Sequence, residues 1–277
     1  MNSAPPNLPQ RDMASPSVSS QTTDGILILW GTIDPTTVDS DALNDWWTNE
    51  HLPERVCLPG FQRARRYRAQ KRSDGLDNCL ALYETSRVQD LASTEYLYAL
   101  NHPTKRTVQF MPCLAQMSRF ACERIWSNPS SISKPDHATS DNGWLLMLVF
   151  EVANATDDPI SRIDDCLRRK EHGALAETTH TLIAKVNADI TRVGTMSKSY
   201  DDVQFNASSD GDSTQPADTF IAVFEFDRSA DGPEHTQFPN SEWLASLTTI
   251  LTAAGLHIRY INTYTLLASL AKNQIAC

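Results

Sequence analysis

At 277 residues, with 40% hydrophobic and 21% charged side chains, the chain has enough apolar material for a core, and room for one large domain or two ordinary ones. Its 24 Lys+Arg against 34 Asp+Glu give a formal charge of −10, which disfavours attraction to nucleic acid or anionic membrane surfaces. No stretch approaches the ~18 apolar residues of a membrane span, so a cytoplasmic protein with no nucleic-acid or membrane partner is expected.

Residues 1–23, MNSAPPNLPQRDMASPSVSSQTT, are rich in Pro, Ser and Asn and lack the apolar core of a signal peptide; a disordered tail is expected. GILILWGTI, 25 to 33, lies between TTDG and DPTT and reads as a strand. Asp39 or Ser40 then caps a helix running through about Arg55, which carries DWWTNEHLPERV.

On that helix Trp47 and His51 are four apart and share a face, with Trp46 beside them. One reading is a partly buried histidine packed on an aromatic core. The other is a general acid or base, since imidazole is the side chain whose ordinary pKa lies near neutrality. Glu50 points about 100° away from His51 and reads as a solvated or Arg-paired carboxylate, and its charged neighbours Glu54 and Arg55 likewise read as solvated or ion-paired rather than functional.

PGFQRARRYRAQKR turns into a polar strand on which Arg63, Arg65 and Tyr67 point one way and Arg66 and Arg68 the other. Either set could hold a ligand enolate or carboxylate, or pair with buried acids. The competing reading is a charged edge strand. NCLALYETS makes a third strand whose Glu84 shares a face with Leu80 and Leu82, and solvent exposure at the strand end explains that carboxylate most simply. A helical region from Val88 to Ala99 leads through NHPTKR, with the loop histidine His102, to a last strand near RFACERIW. Residues 127–142, SNPSSISKPDHATSDN, form a linker.

The same order of elements then recurs. Strand 143–152 leads to a helix at 158–177, a polar strand around 190–200, the strand TFIAVFEFD at 219–227, a helix at 241–254 and a final strand LHIRYINTYTLL. Glu50-His51 and Glu171-His172 sit at matching places, as do Glu84 and Glu225, which supports an internal duplication. His172 lacks the tryptophans, so one active pocket is expected. Tyr260 and Tyr264 alternate with Asn262 on the last strand and can line a cavity with hydroxyls or pack as ordinary strand aromatics.

The expected fold is α+β: two ferredoxin-like βαββαβ repeats, 24–126 and 143–277, packed sheet to sheet with a cavity between them. The six cysteines show no metal-binding spacing and read as buried free thiols. No GxGxxG, Walker loop, HExxH or GxSxG is present, so dinucleotide, nucleotide, zinc-protease and serine-hydrolase chemistries are disfavoured.

WWTNEHLPERVCLPGFQRARRY resembles the Trp-x(3,4)-His-x-Pro helix, Pro-Gly-Phe turn and Arg-Arg-Tyr strand of the EthD-like branch of the dimeric α/β-barrel superfamily. The resemblance implies a fused, pseudo-dimeric barrel, monomeric or homodimeric, that works on small molecules. Members of that superfamily include cofactor-free oxygenases, isomerases, cyclases and dehydratases and some haem enzymes, and the resemblance does not choose among them. The expected function is a cofactor-independent tailoring enzyme that binds an apolar polyketide-like or aromatic substrate, with no metal or other cofactor. His51 would move a proton in a dehydration, cyclisation or isomerisation, and Arg66 would stabilise negative charge. Trp46, Trp47, Tyr67, Glu84, Tyr260 and Tyr264 would contact substrate. The alternatives are an oxygenase or oxidase of the same superfamily, haem-dependent or cofactor-free, and a noncatalytic ligand-binding or stress-type barrel.

Overall fold

The computed structural model of the chain describes residues 24–69, 76–128, 143–152, 158, 160–163, 178, 180–206, 218–226 and 241–277. Its strands are β1 (Gly25–Ile33), β2 (Phe61–Ala69), β3 (Asp77–Thr85), β4 (Ala115–Asn128), β5 (Trp144–Val152), β6 (His180–Val186), β7 (Thr219–Phe226) and β8 (Leu256–Ala271). Neighbours pair antiparallel in the order β1-β3-β2-β8-β5-β7-β6-β4, and β4 returns to β1. The architecture is therefore α+β on a closed eight-stranded barrel.

Each half supplies four adjacent strands in the same permutation, β4-β1-β3-β2 and β8-β5-β7-β6. The halves join edge to edge, β2 against β8 and β4 against β6. Closure of this kind removes free sheet edges, which corrects both the expected face-to-face stacking and the reading of β2 as an exposed edge. Side-chain alternation then divides each strand between two environments. Ile26, Ile28 and Trp30 of β1 enter the barrel, where they meet Leu82, Met147 and Val223. Leu27 and Leu29 point outward into a second core beneath the helices of the first half. A third core lies under the Ser241–Ala253 helix on the outer face of the second half. Strands β1 and β5 read as unbroken apolar runs because they are covered on both faces.

The expected long helix is broken into three segments: an α-helix at Ser40–Asp45, a π-helical stretch at Trp46–His51 and an α-helix at Leu52–Val56. Asp39 caps the start, its Oδ1 accepting the N–H groups of Asp41 at 3.0 Å and Ala42 at 3.1 Å. Pro53 explains the π turn. It has no N–H to donate, and in an α-helix its ring would strike the carbonyl four residues back, at Asn49. The wider turn relieves that clash, and Leu52 N–H donates to Trp47 O, five residues back. Gly60, at φ +83°, then reverses the chain into β2; a side chain there would also collide with the Asp90 carboxylate.

The polar strand expected around 190–200 is a helix, Ala188–Thr195, followed by a turn at Lys198–Tyr200. Asn187 caps it, accepting Ile190 N–H at 3.1 Å, and the strand itself lies earlier, at His180–Val186. Residues 187–206 strap the second half onto the helical layer of the first. Asn187 N–H donates to Ala121 O at 2.8 Å, Ser199 Oγ to Leu100 O at 2.6 Å and Met117 N–H to Gln204 O at 2.9 Å.

Cys57 and Cys277 form a disulfide across 220 residues of sequence, with Cα atoms 5.2 Å apart. This corrects the expectation of free thiols for that pair: β8 runs beside β2, and the turn at Lys272–Gln274 returns the last residues to the end of the Leu52–Val56 helix. Lys272 Nζ donates to Leu58 O there at 2.7 Å. Cys79 and Cys122 are free and buried, and Cys113 is free and half-buried. The 1–23 tail, Cys166, His172, all but residues 127 and 128 of the linker, and most of the expected 158–177 helix lie outside the described residues. Among the described residues no helix is long and apolar enough to cross a membrane.

Candidate functional site

The sequence-predicted residues fall into two separate places. Trp46, Trp47, His51 and Arg66 lie in the outer layer, between the first half's helices and its sheet. Tyr67, Glu84, Tyr260 and Tyr264 face the barrel interior.

In the outer layer a small cavity is lined by Leu27, Leu29, His51, Arg55, Phe61, Tyr83, Tyr96 and Tyr200. It offers about 10 Å³ to the centre of a water molecule, enough for about one water. This cavity lies outside the barrel rather than between two sheets as expected, and among the described residues the barrel interior is packed with side chains. The π turn sets the histidine's surroundings. It brings Trp46, five residues back, into a tilted contact with His51, ring centroids 4.9 Å apart, and Phe110 stacks on Trp46 at 5.5 Å.

His51 is only 5% exposed. Burial, then the charges of Arg55 and Arg66, hold its pKa well below the usual histidine range, so the imidazole is neutral. Its Nδ1 lies 3.8 Å from Glu54 Oε2, and Glu54 Oε1 lies 3.7 Å from Arg55 Nη1; both are ion-pair distances too long for hydrogen bonds. Burial raises the Glu54 carboxyl, partly offset by Arg55. The Tyr83 hydroxyl is likewise pushed up by burial.

Several buried polar atoms here have no hydrogen-bond partner: His51 Nδ1, Glu54 Oε2, Arg55 Nη1 and Nη2, and Trp46 Nε1, whereas the Trp47 indole interacts with the Tyr83 hydroxyl. A buried polar atom without a partner costs free energy, so a cluster of them beside a cavity is a feature that packing alone does not explain. The other side of the cavity is tied down. Arg119 donates to Tyr96 OH at 3.1 Å and to Thr191 O at 3.2 Å, and its guanidinium lies 5.4 Å from the Tyr200 ring centroid. A β-carbon at Gly194 would collide with that guanidinium, which is why a glycine sits there on the strap.

Arg66 does not line the cavity. It donates to Thr48 Oγ1 at 2.6 Å, Asn44 O at 3.2 Å and Asn44 Oδ1 at 2.9 Å, and lies 4.4 Å from the centroid of the Trp47 ring. Burial lowers its pKa to about 10. It ties helix to sheet, and it is Arg55 that lines the cavity. Glu50 is Arg-paired as expected, with Arg106 at 3.2 Å and Thr104 at 2.7 Å. His102 is exposed and stacks on Tyr98 away from the cavity.

Inside the barrel Arg65 pairs with Glu225 and, at 2.8 Å, with Glu84, which also meets Arg124 at 3.2 Å. This replaces the expected solvent exposure of both glutamates. Burial would raise the Glu225 carboxyl, but Arg65 and His180 outweigh it and hold it at about 2. Tyr67 lies in the same interior core. The hydroxyls of Tyr260 and Tyr264 meet at 2.6 Å, and Asn262 donates to Tyr260 at 3.1 Å. Tyr67, Glu84, Tyr260 and Tyr264, expected to contact substrate, therefore lie in the barrel interior, apart from the cavity beside His51.

Sequence reading missed Tyr83, Tyr96 and Tyr200, and set Arg55 aside as solvated. Tyr83 was within reach: on β3 it alternates with Leu82 and Glu84 and so faces the helices. Tyr200 arrives from the strap, for which the sequence carried no signal. Among the described residues no group of three metal-ligating side chains lies together.

No family model matches the chain, and no curated protein matches it. Solved structures similar to it include an anthrone oxidase-like protein, at 12% identity over 92% of this chain and 96% of that one with a TM-score of 0.49. Another is a mutant chlorite dismutase from Candidatus Nitrospira defluvii, at 10% identity over 91% and 93% with a TM-score of 0.43. At such identities the likeness transfers no chemistry to this chain.

Proposed function

We propose that this chain is a small-molecule enzyme of the fused, EthD-like dimeric α/β-barrel kind, in which His51 transfers a proton in the outer-layer cavity without needing a cofactor. The repeated strand permutation supports the duplication into 24–126 and 143–277. The observation that carries the activity is that His51, Arg55 and Tyr83 line one buried space, where Arg55 Nη1 and Nη2 have no hydrogen-bond partner.

These groups suit one another chemically. A neutral imidazole beside guanidinium charge is a weak base, because protonating it places two cations together. The cost falls when the proton comes from a C–H or O–H whose departure leaves an anion against Arg55. Base and anion holder then act as a pair: His51 takes the proton, and Arg55 with Tyr83 receives the enolate oxygen. Glu54, 3.8 Å from Nδ1, is placed to stabilise the imidazolium when its carboxyl is ionised. Return of the proton to another atom gives isomerisation; its delivery to a leaving hydroxyl gives dehydration. Attack of the carbanion on a carbonyl of the same molecule gives cyclisation. Leu27, Leu29, Phe61 and the tyrosine rings form apolar walls suited to an aromatic or polyketide-like body. The closed cavity holds about one water, so such a body enters by displacing a wall.

The test is untargeted mass spectrometry of a collection of aromatic and polyketide-type ketones incubated with the protein. Depletion of a compound with loss of water or unchanged mass supports the proposal. Gain of oxygen would assign the oxidising alternative, and retention of a compound without any conversion would make the protein a binding barrel.

A further inference from the structure

We infer that the outer-layer cavity is an anion site that takes a small aromatic carboxylate, held by both Nη atoms of Arg55. The inference names the ligand class of the pocket proposed above, and it does not require that His51 move a proton.

Three arginines are buried in the helical layer of the first half, and two of them are accounted for. Arg66 makes three hydrogen bonds to Asn44 and Thr48, and Arg119 bonds Tyr96 and Thr191. Arg55 is as buried as these, at 3% exposed, yet neither Nη1 nor Nη2 has a hydrogen-bond partner. Glu54 at 3.7 Å is too distant to satisfy it. A buried guanidinium in that state is costly, and an occupant that brings negative charge removes the cost. The two Nη groups form a fork that matches the two oxygens of a carboxylate.

The rest of the lining favours the same class. Tyr83, 2% exposed, also lines the cavity, and its hydroxyl can donate to an acceptor-only group. Leu27, Leu29 and Phe61 offer apolar contact to a ring. Cationic ligands are disfavoured by Arg55 itself. Room for the ring must come from a wall that gives way. Tyr200 is the liner carried by the short Lys198–Tyr200 turn, whereas the others sit on strands or longer helices.

Isothermal titration calorimetry with benzoate, and with uncharged benzamide as control, tests this on the full chain. Benzoate should bind wild type, and bind Tyr200→Ala more tightly because the wall is gone. Arg55→Gln should weaken benzoate binding by about tenfold or more, the usual worth of charged hydrogen bonds, and leave benzamide binding unchanged. Arg55→Gln should also melt close to wild type, since it removes a guanidinium whose nearest carboxylate, Glu54 at 3.7 Å, is beyond hydrogen-bond reach; a much lower melting temperature would make Arg55 a structural residue and overturn the inference. Absence of benzoate binding in both wild type and Tyr200→Ala, or equal binding by Arg55→Gln, would overturn it as well. His51-dependent turnover of an uncharged compound without benzoate binding would sink this inference and leave the proposed function standing. Arg55-dependent benzoate binding by a chain that turns over nothing would do the reverse.

Discussion

Replacing Glu225 by Gln keeps the size of the side chain and removes the charge that Arg65 faces inside the barrel. The loss can be worked from the carboxyl's ionisation. A fall from the ordinary 4.5 to about 2 on folding corresponds to roughly 3 kcal/mol of stability near neutral pH. The sign follows from the direction of the shift. A carboxyl held low in the folded chain stabilises it wherever the group is ionised, fully above about pH 4.5, and the contribution fades as pH falls toward about 2. Glu225→Gln never has that contribution. Urea unfolding at pH 7 should therefore separate wild type from variant by about 3 kcal/mol, and the gap should narrow to about 1 kcal/mol by pH 3. Arg65 keeps Glu84 at 2.8 Å, so the variant should still fold. A gap below about 1 kcal/mol at pH 7, or an equal gap at both pH values, would refute the assignment of a buried ion pair.

Arg66→Gln should lower stability by roughly 2–4 kcal/mol through its lost hydrogen bonds and its contact with Trp47, with turnover per folded molecule nearly unchanged. A selective loss of turnover would return a catalytic role to Arg66. Cys277→Ser should cost up to about 5 kcal/mol, because the disulfide closes a loop of 220 residues, and a reductant should bring wild type to the same level in urea. No response to either change would show that the bond is not formed in solution. The His51 imidazole should stay in its neutral form as pH falls through 6.5, followed by NMR; an ordinary titration there would mean that the ring is open to water.

Much of this architecture can be read from local pattern. Strands β1, β3, β5 and β7 are apolar runs bounded by polar breaks, and the alternation of Arg65 and Arg66 to opposite faces follows from strand geometry alone. What the pattern could not reveal is which face of β2 meets which partner. Arg65 finds Glu225 from a strand 160 residues away, so that pairing depends on barrel closure. Closure also decides where the cavity lies. Once β2 joins β8 and β4 joins β6, the interior fills with Ile28, Leu82 and Met147, and the space left open is on the helical side. Trp46, Trp47 and His51 were identifiable as a cluster, but α-helical spacing paired His51 with Trp47. The π turn before Pro53 pairs it with Trp46 instead. A charged residue near a helix end, such as Arg55, is usually solvated; here it is 3% exposed and lines the cavity together with Tyr200, which the strap carries in from the second half.

His51→Ala, assayed by turnover on any compound that the wild type converts, tests the central claim most directly. The variant should match the wild-type circular dichroism spectrum, since His51 Nδ1 makes no hydrogen bond that the fold would miss. Its turnover should fall by roughly two to four orders of magnitude, the usual worth of a positioned acid or base. Near-normal turnover, or a loss that only tracks the loss of folded protein, would contradict the account and make His51 a packing residue of the helical layer.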